Sequence, residues 1–188
     1  LGNFNPVHLA HLVMADQVQN QLGLDKVYLM PTYLPPHVDE KKTISSEHRL
    51  AMLELAVADN PCLDIEPIEL IRKGKSYTYD TMKALKEANP DTDYYFIIGG
   101  DMVEYLPKWH RIDDLLHLVQ FVGIRRPNYP TESTYPIIWV DVPQMAISST
   151  LIRQKVKSGC STRYLLPENV INYIQEKGLY QDELDNKL

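Results

Sequence analysis

The sequence predicts a doubly wound α/β fold, a mainly parallel sheet with helices on both faces. Three observations carry this expectation. Short unbroken apolar runs, Val27-Tyr28-Leu29-Met30, Tyr94-Tyr95-Phe96-Ile97-Ile98 and residues 119–124, have the length of strands buried on both faces of a parallel sheet. Segments of helical periodicity separate them, with glycine or proline at many of the junctions. Of the 188 residues 44% are hydrophobic and 23% charged, which supplies a sizeable core and argues against a disordered chain.

The elements follow in order. Residues 9–22 place apolar side chains at Leu9, Leu12, Val13, Val18 and Leu22, and Gly23 is a natural stop, so a first helix fills this stretch. Val27 to Met30 is a strand closed by Pro31. Residues 32–43, with Pro35-Pro36-His37 and Asp39-Glu40-Lys41-Lys42, read as a mobile, solvent-facing loop of functional length. Ser46 caps a helix with Glu47 in its first turn and a stripe of Leu50, Leu53, Ala56 and Val57, ending near Asn60-Pro61. Residues 63–70 alternate and read as one strand interrupted by Pro67, at a sheet edge. Thr78 or Asp80 opens a helix through Ala88, and the following strand stops at Gly99-Gly100-Asp101. A helix at 112–117, strands at 119–124 and 137–142, and helices at 149–158 and 167–177 complete the alternation. Residues 1–188 therefore read as a single domain of Rossmann-like architecture, with 149–180 as its C-terminal helical portion and 181–188 as a polar, frayed tail.

Composition narrows the function. With 19 Lys and Arg against 25 Asp and Glu the formal charge is −6, which disfavours a nucleic acid partner but allows a small basic pocket for one phosphorylated ligand. No apolar stretch approaches the roughly 18 residues that a membrane-spanning helix needs. Cys62 and Cys160 form neither a disulfide framework nor a Cys-based zinc site, so a reducing cytoplasm is the expected location. Leu1-Gly2-Asn3-Phe4 reads as the end of something already under way, so the N-terminus is expected to be truncated. The 12 tyrosines hint at self-association into a homo-oligomer.

Ligands of a doubly wound sheet bind outside the carboxyl ends of its strands, so the loops there are where chemistry is expected. Gly2-Asn3-Phe4-Asn5-Pro6-Val7-His8-Leu9-Ala10-His11 sets two histidines three residues apart at the mouth of a helix, which puts both imidazoles on one face. A helix N-terminus suits a triphosphate, and the histidines can donate to phosphoryl oxygens as charge builds in a transition state. The rival is zinc, but His37, His48, His110 and His117 show no paired spacing that would complete a centre. Ile147-Ser148-Ser149-Thr150-Leu151-Ile152-Arg153 offers a second cradle, three hydroxyls at a helix start with an arginine one turn on; a plain cap followed by a solvated arginine is the bland alternative. Trp109, flanked by Lys108, His110 and Arg111, does not read as core.

Taken together, the two motifs resemble the HxGH nucleotidyltransferase superfamily, the first in its GxFxPxHxxH pattern and the second in ISSTxIR. Between them Pro35-Pro36-His37, Ser76-Tyr77-Thr78-Tyr79-Asp80-Thr81, Ile98-Gly99-Gly100-Asp101 and Leu106-Pro107-Lys108-Trp109-His110 are similar to the bacterial nicotinate-nucleotide adenylyltransferases, through to Lys177-Gly178-Leu179-Tyr180. The resemblance implies that His8, His11 and Arg153 are catalytic. It implies that Gly2, Asn3, Phe4, Gly99, Asp101, Ser148, Ser149 and Thr150 join them in binding ATP. Thr78, Tyr77, Trp109 and His37 would hold the pyridine nucleotide, Thr78 at the carboxylate and Trp109 stacked on the ring. Mg²⁺ would arrive with ATP. The implied reaction joins ATP and nicotinate mononucleotide by in-line attack, with no protein nucleophile and no metal site built of side chains. The family begins with a strand, so the resemblance implies that the first strand is truncated here, and the chain departs from the pattern at Leu1 for the first glycine, Asn5 for aspartate, Ala10 for glycine and Val38 for lysine, with Lys41 or Lys42 as substitutes. The same chemistry on nicotinamide mononucleotide or phosphopantetheine, and a non-catalytic nucleotide-binding protein, are the alternatives.

Overall fold

A computed structural model describes residues 1–33 and 44–181. The helices are α1 (Leu9–Leu22), α2 (Ser46–Val57), α3 (Ile68–Arg72), α4 (Thr78–Ala88), α5 (Ile112–Leu115), α6 (Ser149–Lys157) and α7 (Glu168–Lys177). The strands are β1 (Val27–Leu29), β2 (Leu63–Ile65), β3 (Tyr94–Gly99), β4 (Val119–Ile124) and β5 (Ile137–Val140), and a 3₁₀ helix covers Gly100–Lys108. The chain forms two compact units. One holds Leu1–Gly74 with the described residues from Pro143 onward, the other Lys75–Val142.

In the first unit β1 and β2 pair in parallel, Val27 opposite Leu63 and Leu29 opposite Ile65. Parallel strands need a crossover, and α2 supplies it. Gly2 adds an isolated parallel bridge to Pro31, its N–H on the Met30 carbonyl at 3.1 Å and its carbonyl taking the Thr32 N–H at 2.9 Å. Val7, Val18, Met52, Leu53, Ile152 and Val170 are fully buried. In the second unit β3, β4 and β5 lie side by side, all parallel, with Tyr94 to Gly99 opposite Val119 to Ile124 and Phe121 to Ile124 opposite Ile137 to Val140. Its core centres on Phe121, with Leu106, Leu115, Val122 and Ile124. This is the α/β, Rossmann-like class that the sequence predicts.

Five details differ from the sequence reading. Tyr28 in β1 is half exposed, so that strand is not buried on both faces. The α2 cap is Ser45, whose Oγ accepts the His48 N–H at 3.3 Å; adjacent serines give no signal for choosing between them. The alternation at 63–70 is not one strand. β2 ends at Ile65, and Pro67 caps the short helix α3, since a proline can start a helix but cannot donate to a ladder. The Gly100–Lys108 helix was not expected, because its tight three-residue repeat leaves no 3.6-residue stripe. Trp109 follows it and is partly buried, its ring edge-on to Phe96 and to Phe121 at 5.9 Å between centroids, so it is not a free surface tryptophan. The expected loop at 32–43, apart from Thr32 and Tyr33, and the tail after Gln181 lie outside the described residues, His37, Val38, Lys41 and Lys42 among them. Among the described residues no helix is long and apolar enough to cross a membrane.

Candidate active site

The first motif folds into a tight loop that runs into α1. His8 is the extended residue before the helix, and His11 sits at its third position. The His8 backbone N–H donates to His11 Nδ1 at 3.1 Å. The two rings stack with centroids 3.7 Å apart and planes 21° from parallel, and Phe4 meets His11 edge-on at 4.9 Å. One face therefore carries both imidazoles, as the spacing predicted. Burial pushes His8 down to about 4, and burial followed by repulsion from His8 pushes His11 down to about 3, so both rings are neutral at physiological pH. Because His11 Nδ1 accepts a hydrogen bond, the neutral ring carries its proton on Nε2, which remains a donor. The α1 N-terminus is less open than an isolated helix would be, since the Leu9 N–H is taken by the Leu165 carbonyl at 2.9 Å.

The second motif lies at the start of α6, where each hydroxyl has a separate partner. Ser148 is the cap, accepting the Leu151 N–H at 3.1 Å. Ser149 Oγ donates to the Pro6 carbonyl at 2.9 Å, and Thr150 Oγ1 accepts from Arg153 Nη2 at 3.2 Å. Arg153 is buried, and its Nη1 donates to the Asn5 carbonyl at 2.9 Å. The bland reading of a solvated arginine is thus excluded. Nε of Arg153 and Oδ1 of Asn3 are buried without a hydrogen-bond partner among the described residues, polar atoms left over at the loop.

Three residues that sequence reasoning left without a role complete this loop. Arg49 of α2 is 1% exposed and donates through Nη1 to the carbonyls of Asn3 at 2.9 Å and Thr32 at 2.7 Å. Tyr180 is buried, and its hydroxyl donates to Asn5 Oδ1 at 2.8 Å. Asn5, noted in the sequence only as a departure, is thereby held at both its side chain and its carbonyl. A lone Arg on an amphipathic helix and a terminal Tyr give no local signal of burial, since both are ordinarily found at the surface or packed without a polar task.

The second unit carries the remaining candidates. Thr78 is the first residue of α4, and the preceding Tyr77 makes no side-chain cap, so the first amides of the helix face outward from a helix N-terminus. Tyr77 is exposed, tilted against the His110 ring at 4.4 Å, with Lys75 Nζ 5.1 Å above its ring. Gly99 ends β3 and Asp101 is the second residue of the 3₁₀ helix, its Oδ1 3.8 Å from Arg126 Nε. A Cβ on Gly100 would stand 2.7 Å from the Ile124 backbone carbonyl, so the turn needs glycine there, whereas one on Gly99 would meet the movable Asp101 carboxylate at 2.5 Å. Among the described residues no group of three His, Cys, Asp or Glu is placed to hold a metal ion.

Residues 1–155 match the cytidylyltransferase-like family, and the chain belongs to it. The resemblance to bacterial nicotinate-nucleotide adenylyltransferases extends over most of the chain. It is 63% identical over 179 residues to a probable nicotinate-nucleotide adenylyltransferase of Streptococcus pneumoniae, covering 95% of this chain and 86% of that one. A protein of the same name from Streptococcus mutans is 63% identical over 180 residues, covering 96% and 86%. Among solved structures, Plasmodium falciparum nicotinic acid mononucleotide adenylyltransferase complexed with NaAD superimposes with a TM-score of 0.78 at 18% identity, covering 97% of this chain and 96% of that one. The same enzyme complexed with APC gives 0.77 at 18% identity, with the same coverage. At that identity the structural likeness speaks for the fold.

Proposed function

We propose that this chain transfers the adenylyl group of ATP to nicotinate mononucleotide, forming nicotinate adenine dinucleotide and pyrophosphate in NAD biosynthesis. The observation that carries the chemistry is the stacked, neutral histidine pair at the entrance of α1. The names of the relatives at 63% identity support the acceptor.

In this reading the 5′-phosphate of the acceptor attacks the α-phosphorus in line and pyrophosphate leaves. No bond to the protein forms. The chain positions two anions and neutralises charge as it moves onto the bridging and equatorial oxygens. His11 Nε2–H donates to a phosphoryl oxygen, and His8 sits beside it on the same face. Thr150 and Arg153 hold the triphosphate side, Arg153 through the N–H groups that the Asn5 carbonyl and Thr150 leave over, and Ser149 supports the loop through the Pro6 carbonyl. ATP would enter as its Mg²⁺ complex, the ion supplying neutralisation of phosphate charge without a cage of protein side chains. In the second unit the amides opening α4, with the Thr78 hydroxyl, suit the pyridine carboxylate. Trp109 has one ring face for the pyridine while its edge rests on Phe96 and Phe121. Asp101 serves the nucleoside.

Pyrophosphate release from Mg²⁺-ATP with nicotinate mononucleotide, its amide and phosphopantetheine tests the reading. Strong preference for the acid is expected. Release with another acceptor would discard the carboxylate site, and no release from a folded, ATP-binding chain would discard the enzyme. His11→Ala should lower kcat about a hundred-fold with the fold intact; an unchanged rate would remove His11 from the mechanism.

A further inference from the structure

The loop from Asn3 to Pro6 is gripped from behind, carbonyl by carbonyl. The Asn3 carbonyl accepts from Arg49 Nη1 at 2.9 Å, the Asn5 carbonyl from Arg153 Nη1 at 2.9 Å, and the Pro6 carbonyl from Ser149 Oγ at 2.9 Å. In a trans peptide unit the carbonyl of one residue and the N–H of the next point in opposite directions. Holding the Asn3 carbonyl therefore turns the Phe4 N–H away from Arg49, and holding the Pro6 carbonyl turns the Val7 N–H away from Ser149. Asn5 precedes a proline, so the third grip frees no amide. Neither the Phe4 nor the Val7 N–H has a partner among the described residues. Phe4 adopts φ 51°, in the left-handed region that a bulky side chain avoids, and a backbone so placed must be held there by its surroundings.

Arg49 is the least expected of the three donors. It is 1% exposed, and its hydrogen-bond partners among the described residues are all main-chain carbonyls, with Nη2 adding Tyr33 at 3.4 Å. No carboxylate pairs with it among the described residues. A buried, unpaired guanidinium is an expensive way to fill a core position when leucine or methionine would pack as well. Its fork instead joins two stretches of backbone that α2 does not otherwise touch by hydrogen bond, the phosphate loop and the residues after β1.

We propose that Arg49 is a positioning residue for adenylyl transfer, which by holding the Asn3 carbonyl presents the Phe4 N–H to a phosphate oxygen of ATP. The inference rests on the reading of the first motif as the triphosphate loop. Arg49 itself touches no substrate. It acts through the peptide between Asn3 and Phe4, in the way that Ser149 acts through the peptide between Pro6 and Val7.

The test follows the amide resonances of the ¹⁵N-labelled chain during titration with Mg²⁺ and a non-hydrolysable ATP analogue, alongside steady-state kinetics. In the wild-type chain both the Phe4 and Val7 amides should shift. In Arg49→Met, which keeps the packing and removes the donors, the Phe4 shift should fall to less than about a third while Val7 keeps most of its own, and kcat/KM for ATP should fall about ten-fold. Arg49→Lys retains one cationic donor on a shorter stem and should lie between the two. A purely structural Arg49 would lower the unfolding midpoint and leave the Phe4 shift and kcat/KM within about two-fold of wild type, which overturns the proposal. Should Arg49→Met fail to fold, Arg49→Lys decides: an intermediate Phe4 shift supports the role, and wild-type behaviour overturns it. If neither amide moves in the wild-type chain, the triphosphate reading of the loop itself falls, and that failure is visible before any variant is made.

Discussion

The depressed basicity of His8 and His11 makes the stability of this chain sensitive to mild acid. In the unfolded chain both imidazoles protonate near the ordinary histidine value of about 6.5, whereas in the folded chain they remain neutral down to about 4 and about 3. The folded pKa values lie below the unfolded ones, so as pH falls through 6.5 the unfolded state takes up protons that the folded state refuses. The stability is full above 6.5 and is lost as the pH drops toward 4. For one site with these constants the loss between pH 7 and pH 5 comes to about 2 kcal/mol, and for the pair about 4 kcal/mol. That is a large share of the roughly 5–15 kcal/mol that stabilises a domain. The assay is urea unfolding followed by tyrosine and tryptophan fluorescence at pH 7 and 5, for the wild-type chain and for His8→Asn/His11→Asn. Taking the difference between the two proteins removes the contribution of every other titrating group. The wild type should lose about 4 kcal/mol more than the double variant over that interval. Parallel losses in the two proteins would mean that the rings protonate freely in the folded loop, and the neutral-donor argument for His11 would fall with them.

Two further outcomes follow from the packing. Tyr180→Phe removes the hydroxyl that donates to Asn5 Oδ1 and leaves a buried acceptor alone, so unfolding should become easier by about 1–3 kcal/mol; a midpoint unchanged in urea would show that the bond contributes nothing. Gly123→Ala places a Cβ 2.8 Å from the Trp139 ring and 2.9 Å from Ile137, in the middle of β4, and should cost about 1–3 kcal/mol with a shift in Trp139 emission; wild-type stability would mean that β5 yields at no cost.

Elements with a strong single period were legible in the sequence. The first helix and the β4 strand fall where the apolar pattern puts them, because in each the local preference and the tertiary burial agree, and α4 opens at Thr78, one of the two starts the sequence offers. Pro67 was read as an interruption of a strand because apolar alternation over a few residues does not distinguish a strand from a helical turn, and the proline starts α3. At the site, the two histidines and the serine-rich helix start were found because they are chemically distinctive and close in sequence. Arg49 and Tyr180 were not assigned roles, because what makes them part of the loop is burial and a main-chain or amide partner far away in the chain, 46 residues from Asn3 in one case and 175 from Asn5 in the other. No local window contains both ends of such a contact.

The same long-range contacts bring positive charge to this loop. With His8 and His11 neutral, Arg49 and Arg153 are cationic groups that each donate an N–H to one of its carbonyls. On the proposed reading a triphosphate arriving on the imidazole face would meet N–H donors that need no reorganisation. The approach of that anion favours the protonated form of each ring, against the burial that disfavours it. In that reading His11, whose Nδ1 already accepts the His8 N–H, meets the anion as a neutral Nε2–H donor, and that hydrogen bond strengthens as negative charge gathers on the phosphoryl oxygens.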